Sequence, residues 1–324
     1  MESLFIKLTE LLSEYKKVVI ISHRDPDLDA IGSAMGLSII LRTAGKECYM
    51  FLSDEKLAKY NTSVRYALER ASGIDLIFPY DVQKTVDEET VLLVIDVHQK
   101  ERLEYPEILD SIKKVIVLDH HIKNNDYIRN TEMFYIDSTM SSMVELVSNY
   151  AKYCGINLDP IIATIMLAGL EIDTNGFNLK TNAQTFEVAA LLTAMGADTV
   201  LKQQLLKESK DNYLRRAAFI ESSYIINKNI AICLLSTTDS NKEELAEIAE
   251  ELLKFEYVEA SFAIGELKPD YIGISARSIG NINVCDVMKK MGGGGHITNA
   301  ATQITDKTVI EVEKMLRKTL GEML

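Results

Sequence analysis

Three short apolar runs, each followed at once by an acid or a histidine, constrain this chain more than any other feature. They are Lys17-Val18-Val19-Ile20-Ile21-Ser22, which leads into His23; Val91 to Ile95, which leads into Asp96; and Val115 to Leu118, which leads into Asp119. A half-buried strand alternates apolar and polar residues. These runs do not, so each must be covered on both faces. Ala30 to Thr43 has helical periodicity, and Ile161 to Ile172 has the pattern of a buried helix whose Ala163, Ala168 and Gly169 permit close packing. The expected fold class is α/β, a parallel sheet with helices on both faces.

From about Phe186 to Ser223 the pattern is helical and increasingly charged, with Lys207-Glu208-Ser209-Lys210-Asp211 in its second half. Strand patterns then return at Ile230 to Leu235, Ala260 to Ile264 and Tyr271 to Ser275, with helices expected over Lys242 to Lys254 and Thr308 to Leu320. The expected organisation is a first domain over 1–190, a helical linker over 191–226 and a smaller α/β domain over 227–324. No internal repeat is visible.

The 324 residues carry a formal net charge of −13, which argues against gripping long nucleic acid by its phosphates. A small anionic substrate remains open, because bound divalent cations can supply local positive charge. The four cysteines, Cys48, Cys154, Cys233 and Cys285, lie far apart and suggest neither a disulfide framework nor a thiolate zinc site. No apolar run approaches the roughly 18 residues of a membrane span, and the N-terminus lacks a signal-peptide pattern. The expected location is the cytoplasm.

Acids and histidines cluster where the apolar runs end. After the first comes His23-Arg24-Asp25-Pro26-Asp27-Leu28-Asp29-Ala30-Ile31-Gly32-Ser33, where Asp27 and Asp29 lie two apart around a turn and Gly32-Ser33 begins a helix. After the second comes Asp96-Val97-His98, after the third Asp119-His120-His121, and Asp173 ends the apolar helix. Open parallel sheets place their ligand crevice at strand carboxyl ends. Any one such aspartate is more often a helix cap or turn former. Four of the five histidines fall in these clusters, however, and the fifth, His296, directly follows the only tetraglycine. Mixed carboxylate and imidazole donors without thiolates suit Mn²⁺, Fe²⁺ or Co²⁺, with Mg²⁺ less suited alone. His23, Asp27, Asp29, Asp96, His120 and Asp173 are enough for two ions that share a bridging carboxylate.

The series His-x-Asp-Pro-Asp-x-Asp-Ala-x-Gly-Ser, Asp-x-His, Asp-His-His and Asp-Thr resembles the DHH phosphoesterases. Gly292-Gly293-Gly294-Gly295-His296-Ile297-Thr298-Asn299-Ala300-Ala301 resembles the glycine-rich motif of their DHHA1 substrate domain. The resemblance implies two manganese ions. His23, Asp27, Asp96 and Asp173 would hold one, Asp29, Asp96 and His120 the other with Asp173 shared, and Asp96 would bridge. His121 would face the scissile phosphate instead of a metal. Arg277, Ser278, Gly293, Gly294, Gly295, His296 and Asn299 would bind the substrate's other phosphate and base, where backbone N–H groups without Cβ atoms can approach oxygens closely. A flexible hinge is the competing reading of the tetraglycine.

Within the family, the glycine motif disfavours type II pyrophosphatases, and RecJ-type exonucleases are longer. The stretch from Ile274 to Val284 and Ser141 to Val147 resemble the catalytic part of GdpP-type cyclic-di-AMP phosphodiesterases. Gln99-Lys100 departs from that group, which tends to have a basic residue and a proline there. The resemblance therefore implies a phosphodiesterase that opens cyclic-di-AMP to linear pApA by two-metal activation of water, as a homodimer. The alternative is a nanoRNase that hydrolyses pApA, or a phosphoadenosine-phosphate phosphatase. A nucleotide-binding regulator without catalysis is disfavoured, since without a cation the clustered carboxylates would repel one another.

Overall fold

The computed structural model describes residues 1–123, 125–235 and 240–323. It divides into two units, Met1–Lys207 and Glu208 onward. The first unit begins α1 (Glu2–Ser13), β1 (Lys17–Ile21), α2 (Leu28–Thr43), β2 (Glu47–Phe51), α3 (Thr62–Arg70) and β3 (Asp75–Ile77). It continues through the one-turn α4 (Val82–Thr85), β4 (Thr90–Ile95), the one-turn α5 (Ile108–Ser111), β5 (Val115–Asp119) and β6 (Met133–Ile136). Four helices complete it: α6 (Met143–Tyr153), α7 (Pro160–Asp173), α8 (Ala183–Ala194) and α9 (Thr199–Leu205).

All six strands run parallel in the order β3-β2-β1-β4-β5-β6. The absence of alternation in the apolar runs is explained by a core on each face. Val18, Ile20, Leu93 and Ile95 join α1, α2, α6 and α7 on one side. Val19, Ile21, Leu92 and Val94 join Val82 and Ile108, from α4 and α5, on the other. The second face is thus covered by single turns of helix and loops, a thinner layer than the first. Strands β2, β3 and β6 carry weaker patterns, such as Glu47-Cys48-Tyr49-Met50-Phe51, because they lie towards the sheet's edges.

The stretch from Phe186 to Ser223 is not one helical connection but parts of three helices, α8, α9 and α10 (Lys210–Glu221), with the unit boundary between the last two. Asp198 caps α9 and Ser209 caps α10 through their side-chain oxygens, which fixes both breaks.

The second unit continues with β7 (Tyr224–Ile226), β8 (Ile230–Leu234), α11 (Lys242–Leu252), β9 (Ala260–Lys268) and β10 (Tyr271–Ser278). It ends with α12 (Val284–Lys290), β11 (Gly294–Gly295), β12 (Asn299–Thr305) and α13 (Val309–Met323). Its sheet, ordered β11-β12-β10-β9-β8-β7, is mixed: β8 and β9 are parallel and the other pairs antiparallel. One face packs against α12 and α13, the other against α10 and α11.

Candidate metal centre

In the first unit's sheet the chain goes one way from β1, to β2 and β3, and the other way through β4 to β6. The crevice at the carboxyl ends of β1 and β4 is therefore the switch point of the fold. Ile21 and Val94 are register partners there, so the residues that follow each strand meet. His23 lies just past β1 and is held by a strap: it forms an isolated antiparallel bridge with Leu103, and Arg24 N donates to Arg102 O at 2.7 Å. Glu104 anchors that strap. Its buried carboxylate accepts from the Tyr60 hydroxyl at 2.6 Å and lies 3.4 Å from Lys56 Nζ.

The turn expected around Asp27 and Asp29 is instead the start of α2, which begins at Leu28, so Gly32 and Ser33 lie inside the helix. Asp27 is its N-cap and accepts from Ala30 N at 3.0 Å. That cap is why the helix starts two residues before the apolar periodicity does. Asp29, fully buried, accepts from Met143 N at 2.9 Å and Val144 N at 2.8 Å, the first N–H groups of α6. A carboxylate there is favoured by the helix dipole. Sequence reasoning passed over this link, although Ser142, which caps α6, and Glu145 behind it are a recognisable helix start.

Asp173 is brought to the same place by the crossing of α2 and α7. Gly169 sits against the first turn of α2, where a Cβ would lie 2.6 Å from Leu28 O. Gly32 faces Met166 less tightly, with a Cβ placed 3.1 Å from its Cα. Two missing side chains thus let the helices approach, and Asp173, the last residue of α7, reaches the crevice.

Asp96 occupies the centre. Its φ of +60° is left-handed, a conformation that aspartate tolerates better than most residues. One oxygen lies 3.3 Å from His23 Nε2; the other lies 3.2 Å from His120 Nε2 and 3.4 Å from His121 Nδ1. His120 Nε2 is also 3.2 Å from Asp173 Oδ2 and 3.7 Å from Asp29 Oδ2. Three donor groups result, each with its atoms within 4.8 Å: His23, Asp27 and Asp96; Asp29, His120 and Asp173; Asp96, His120 and His121. All six sequence-nominated ligands are therefore brought together in one crevice. His121 is held differently: Asp119 Oδ1 accepts from its Nδ1 at 2.9 Å and its backbone N at 3.0 Å. Asp119 and His98, named in the sequence clusters without a role, complete this layer behind the crevice.

The crowding shifts five of these groups, His23, His120, Asp27, Asp29 and Asp96. Burial favours the neutral imidazole of His23, but Asp96 and Asp27 outweigh it and raise its pKa to about 10. Burial likewise opposes charge on His120, and Asp173 and Asp96 overcome it and carry the ring well above its ordinary value. Burial, with repulsion from Asp173 and Asp96, raises the carboxyls of Asp27 and Asp29. Burial would do the same to Asp96, but His120 and His23 hold it far below the carboxylate range. Such strong coupling of buried acids marks a site built around positive charge.

A DHH family N-terminal domain matches residues 17–170, and a DHHA1 domain matches residues 227–322. The chain belongs to the DHH family. It is 37% identical over 322 residues to a cyclic-di-AMP phosphodiesterase GdpP of Geobacillus thermodenitrificans, covering 97% of this chain but 49% of that protein. This chain thus spans about half the length of that relative. It is also 26% identical to a bifunctional oligoribonuclease and PAP phosphatase NrnA of Mycoplasma genitalium, over 92% of both chains. The fold is shared with an exopolyphosphatase-related protein from Bacteroides fragilis, with a TM-score of 0.80, 22% identity and 99% and 96% of the two chains covered. Among the described residues of this DHH protein, no helix is long and apolar enough to cross a membrane.

The residues nominated in the DHHA1 domain gather at one end of its sheet. Arg277 and Asn299 are register partners on β10 and β12. Arg277 Nε donates to Glu250 Oε1 at 3.0 Å, and Nη1 to Ser275 Oγ and Ala276 O at 3.0 and 3.1 Å. Ser278 is buried, and its hydroxyl donates to Ile297 O at 3.2 Å while its N–H donates to Thr298 O. Its hydroxyl also accepts from Gly280 N at 3.3 Å, so it ties together the loops on either side of it. His296 N donates to Asn299 O at 2.6 Å. The four glycines have separate causes. Gly292 has φ +84°, and a Cβ on Gly293 or Gly295 would sit 2.2 Å from Ala301 O or 2.4 Å from Asn299 O. Gly294 has open space, where a Cβ would meet nothing within 4 Å.

Proposed function

We propose that this DHH protein is a phosphodiesterase that opens cyclic-di-AMP to linear pApA, with two manganese ions held by His23, Asp27, Asp29, Asp96, His120 and Asp173. One observation carries the metal reading. Asp96 Oδ1 and both ring nitrogens of His120 are buried without a hydrogen-bond partner, though carboxylate oxygens lie 3.2 Å from His120 Nε2. Buried polar atoms left in this way are rare, and a cation beside Asp96 Oδ1 and His120 Nε2 would satisfy that pair at once. Imidazole and carboxylate donors without a thiolate suit manganese, with cobalt or iron as substitutes. Bound there, two such ions supply an activated water and charge stabilisation for in-line displacement at phosphorus.

The chain's own residues do the rest. His23 and Asp27 would hold one ion and Asp29, His120 and Asp173 the other, with Asp96 turning one oxygen to each group. His121, kept by Asp119, faces the scissile phosphate. In the DHHA1 domain, Arg277, His296, Asn299 and the N–H groups around Gly294 bind the other phosphate and the base. The likeness to GdpP supports cyclic-di-AMP as the substrate. The likeness to NrnA, which extends along nearly all of both chains, supports a second reading, the trimming of pApA or the dephosphorylation of phosphoadenosine phosphate. A time course with manganese on cyclic-di-AMP, cyclic-di-GMP, pApA and phosphoadenosine phosphate separates them. Accumulating pApA from cyclic-di-AMP is the expected result; loss of pApA with the cyclic dinucleotide untouched would establish the second reading.

A further inference from the structure

We infer that His98, acting through Asp119, fixes the tautomer of His121, keeping its Nδ1 away from the metals and its Nε2 turned to the substrate. This rests on the phosphodiesterase reading above. His121 stands between two uses. Its Nδ1 lies 3.4 Å from Asp96 Oδ1, and with Asp96 and His120 it makes a donor group as compact as the other two. It also lies 2.9 Å from Asp119 Oδ1. A ring nitrogen that donates its hydrogen to a carboxylate has no lone pair for a metal, so the hydrogen bond to Asp119 decides which use prevails. In the neutral ring the hydrogen on Nδ1 leaves Nε2 as the acceptor, on a side chain that is 43% exposed.

Asp119 needs its own orientation fixed for this to hold. Its second oxygen lies 2.5 Å from Nδ1 of His98, a ring that is 3% exposed. His98 in turn is set by its backbone oxygen, which accepts from Ile128 N at 2.8 Å, and by the Phe134 ring standing edge-on at 86°. The result is an imidazole–carboxylate–imidazole chain that starts at the buried His98 and Asp119 and ends at His121 in the crevice. Outer partners of this kind orient the groups in front of them. Among the described residues the His98 ring meets Asp119 and Phe134, not the six proposed ligands, so it is a positioning residue.

The test uses the full chain and two substitutions. Asn places an N–H where the His98 Nδ1 hydrogen is, and Leu removes it. Nitrogen-15 NMR of the metal-free protein, at a pH where the ring is neutral, reports which nitrogen of His121 carries hydrogen. The wild type and His98→Asn should show it on Nδ1, and His98→Leu should shift it towards Nε2. With manganese, His98→Leu should lose about ten- to a hundredfold in kcat, with KM unchanged, and His98→Asn should restore kcat. An unchanged His121 tautomer in His98→Leu would overturn the inference, and so would equal loss of kcat in both variants. If the wild type hydrolyses no dinucleotide, the phosphodiesterase reading fails, and the NMR still decides the role of His98.

Discussion

Asp96 concentrates the site's chemistry in one side chain: left-handed backbone, both oxygens directed at imidazoles, and nearly complete burial. Asp96→Asn keeps the shape and tolerates the same φ, so it isolates the charge. We expect it to lower manganese-dependent turnover by at least about a hundredfold, with little change in folding; activity within about tenfold of wild type would remove Asp96 from the centre. His23 predicts a pH effect. Its folded pKa of about 10 exceeds the ordinary 6.5, so in metal-free protein its stabilising contribution is complete below pH 6.5 and is lost as pH rises towards 10. A metal needs that ring neutral, so binding releases protons and strengthens with pH. The difference in Tm between manganese-loaded and metal-free protein should therefore widen across this range, and a constant difference would contradict the assignment of His23. The clustering of the six proposed ligands was legible in the sequence because they follow strands, start a helix or end one. Asp119, His98 and Glu104 were not assigned roles, because those arise from side chains far apart in the chain that meet only behind the crevice.

At the scale of elements, glycines do the positioning. Gly169→Ala should cost about 1–3 kcal/mol by forcing α7 off the first turn of α2, and it should weaken manganese binding because Asp173 moves with the helix. A lowered Tm with unchanged metal affinity would show that the crossing does not set the site. The tetraglycine offers a sharper contrast. Gly293→Ala should destabilise the DHHA1 domain by a similar amount, about 1–3 kcal/mol, because of its contact with Ala301 O. Gly294→Ala should leave Tm unchanged, since nothing lies near its Cβ. If the substrate approaches there, its KM should rise by about tenfold, the equivalent of one lost contact; an unchanged KM would place the substrate elsewhere. From sequence the four glycines looked alike, either a phosphate cradle or a hinge. The positive φ of Gly292 and the close approach of β12 to Gly293 and Gly295 separate their causes.

For the whole molecule, the apolar runs foretold a parallel sheet because central strands are buried on both faces, and they placed β1, β4 and β5 in the chain correctly. Edge strands and the three helices around the unit boundary were not legible as such. Their patterns are set by caps and partial exposure rather than by a continuous apolar face. The net charge of −13 also fits a protein whose local positive charge comes from bound ions. The most direct test of that claim is a manganese titration of metal-free protein, following bound metal by calorimetry and hydrolysis of cyclic-di-AMP by chromatography. The account predicts two ions per chain, hydrolysis that appears as they bind, and neither in Asp96→Asn. Hydrolysis without added metal, or saturation by manganese without hydrolysis of any dinucleotide, would contradict it.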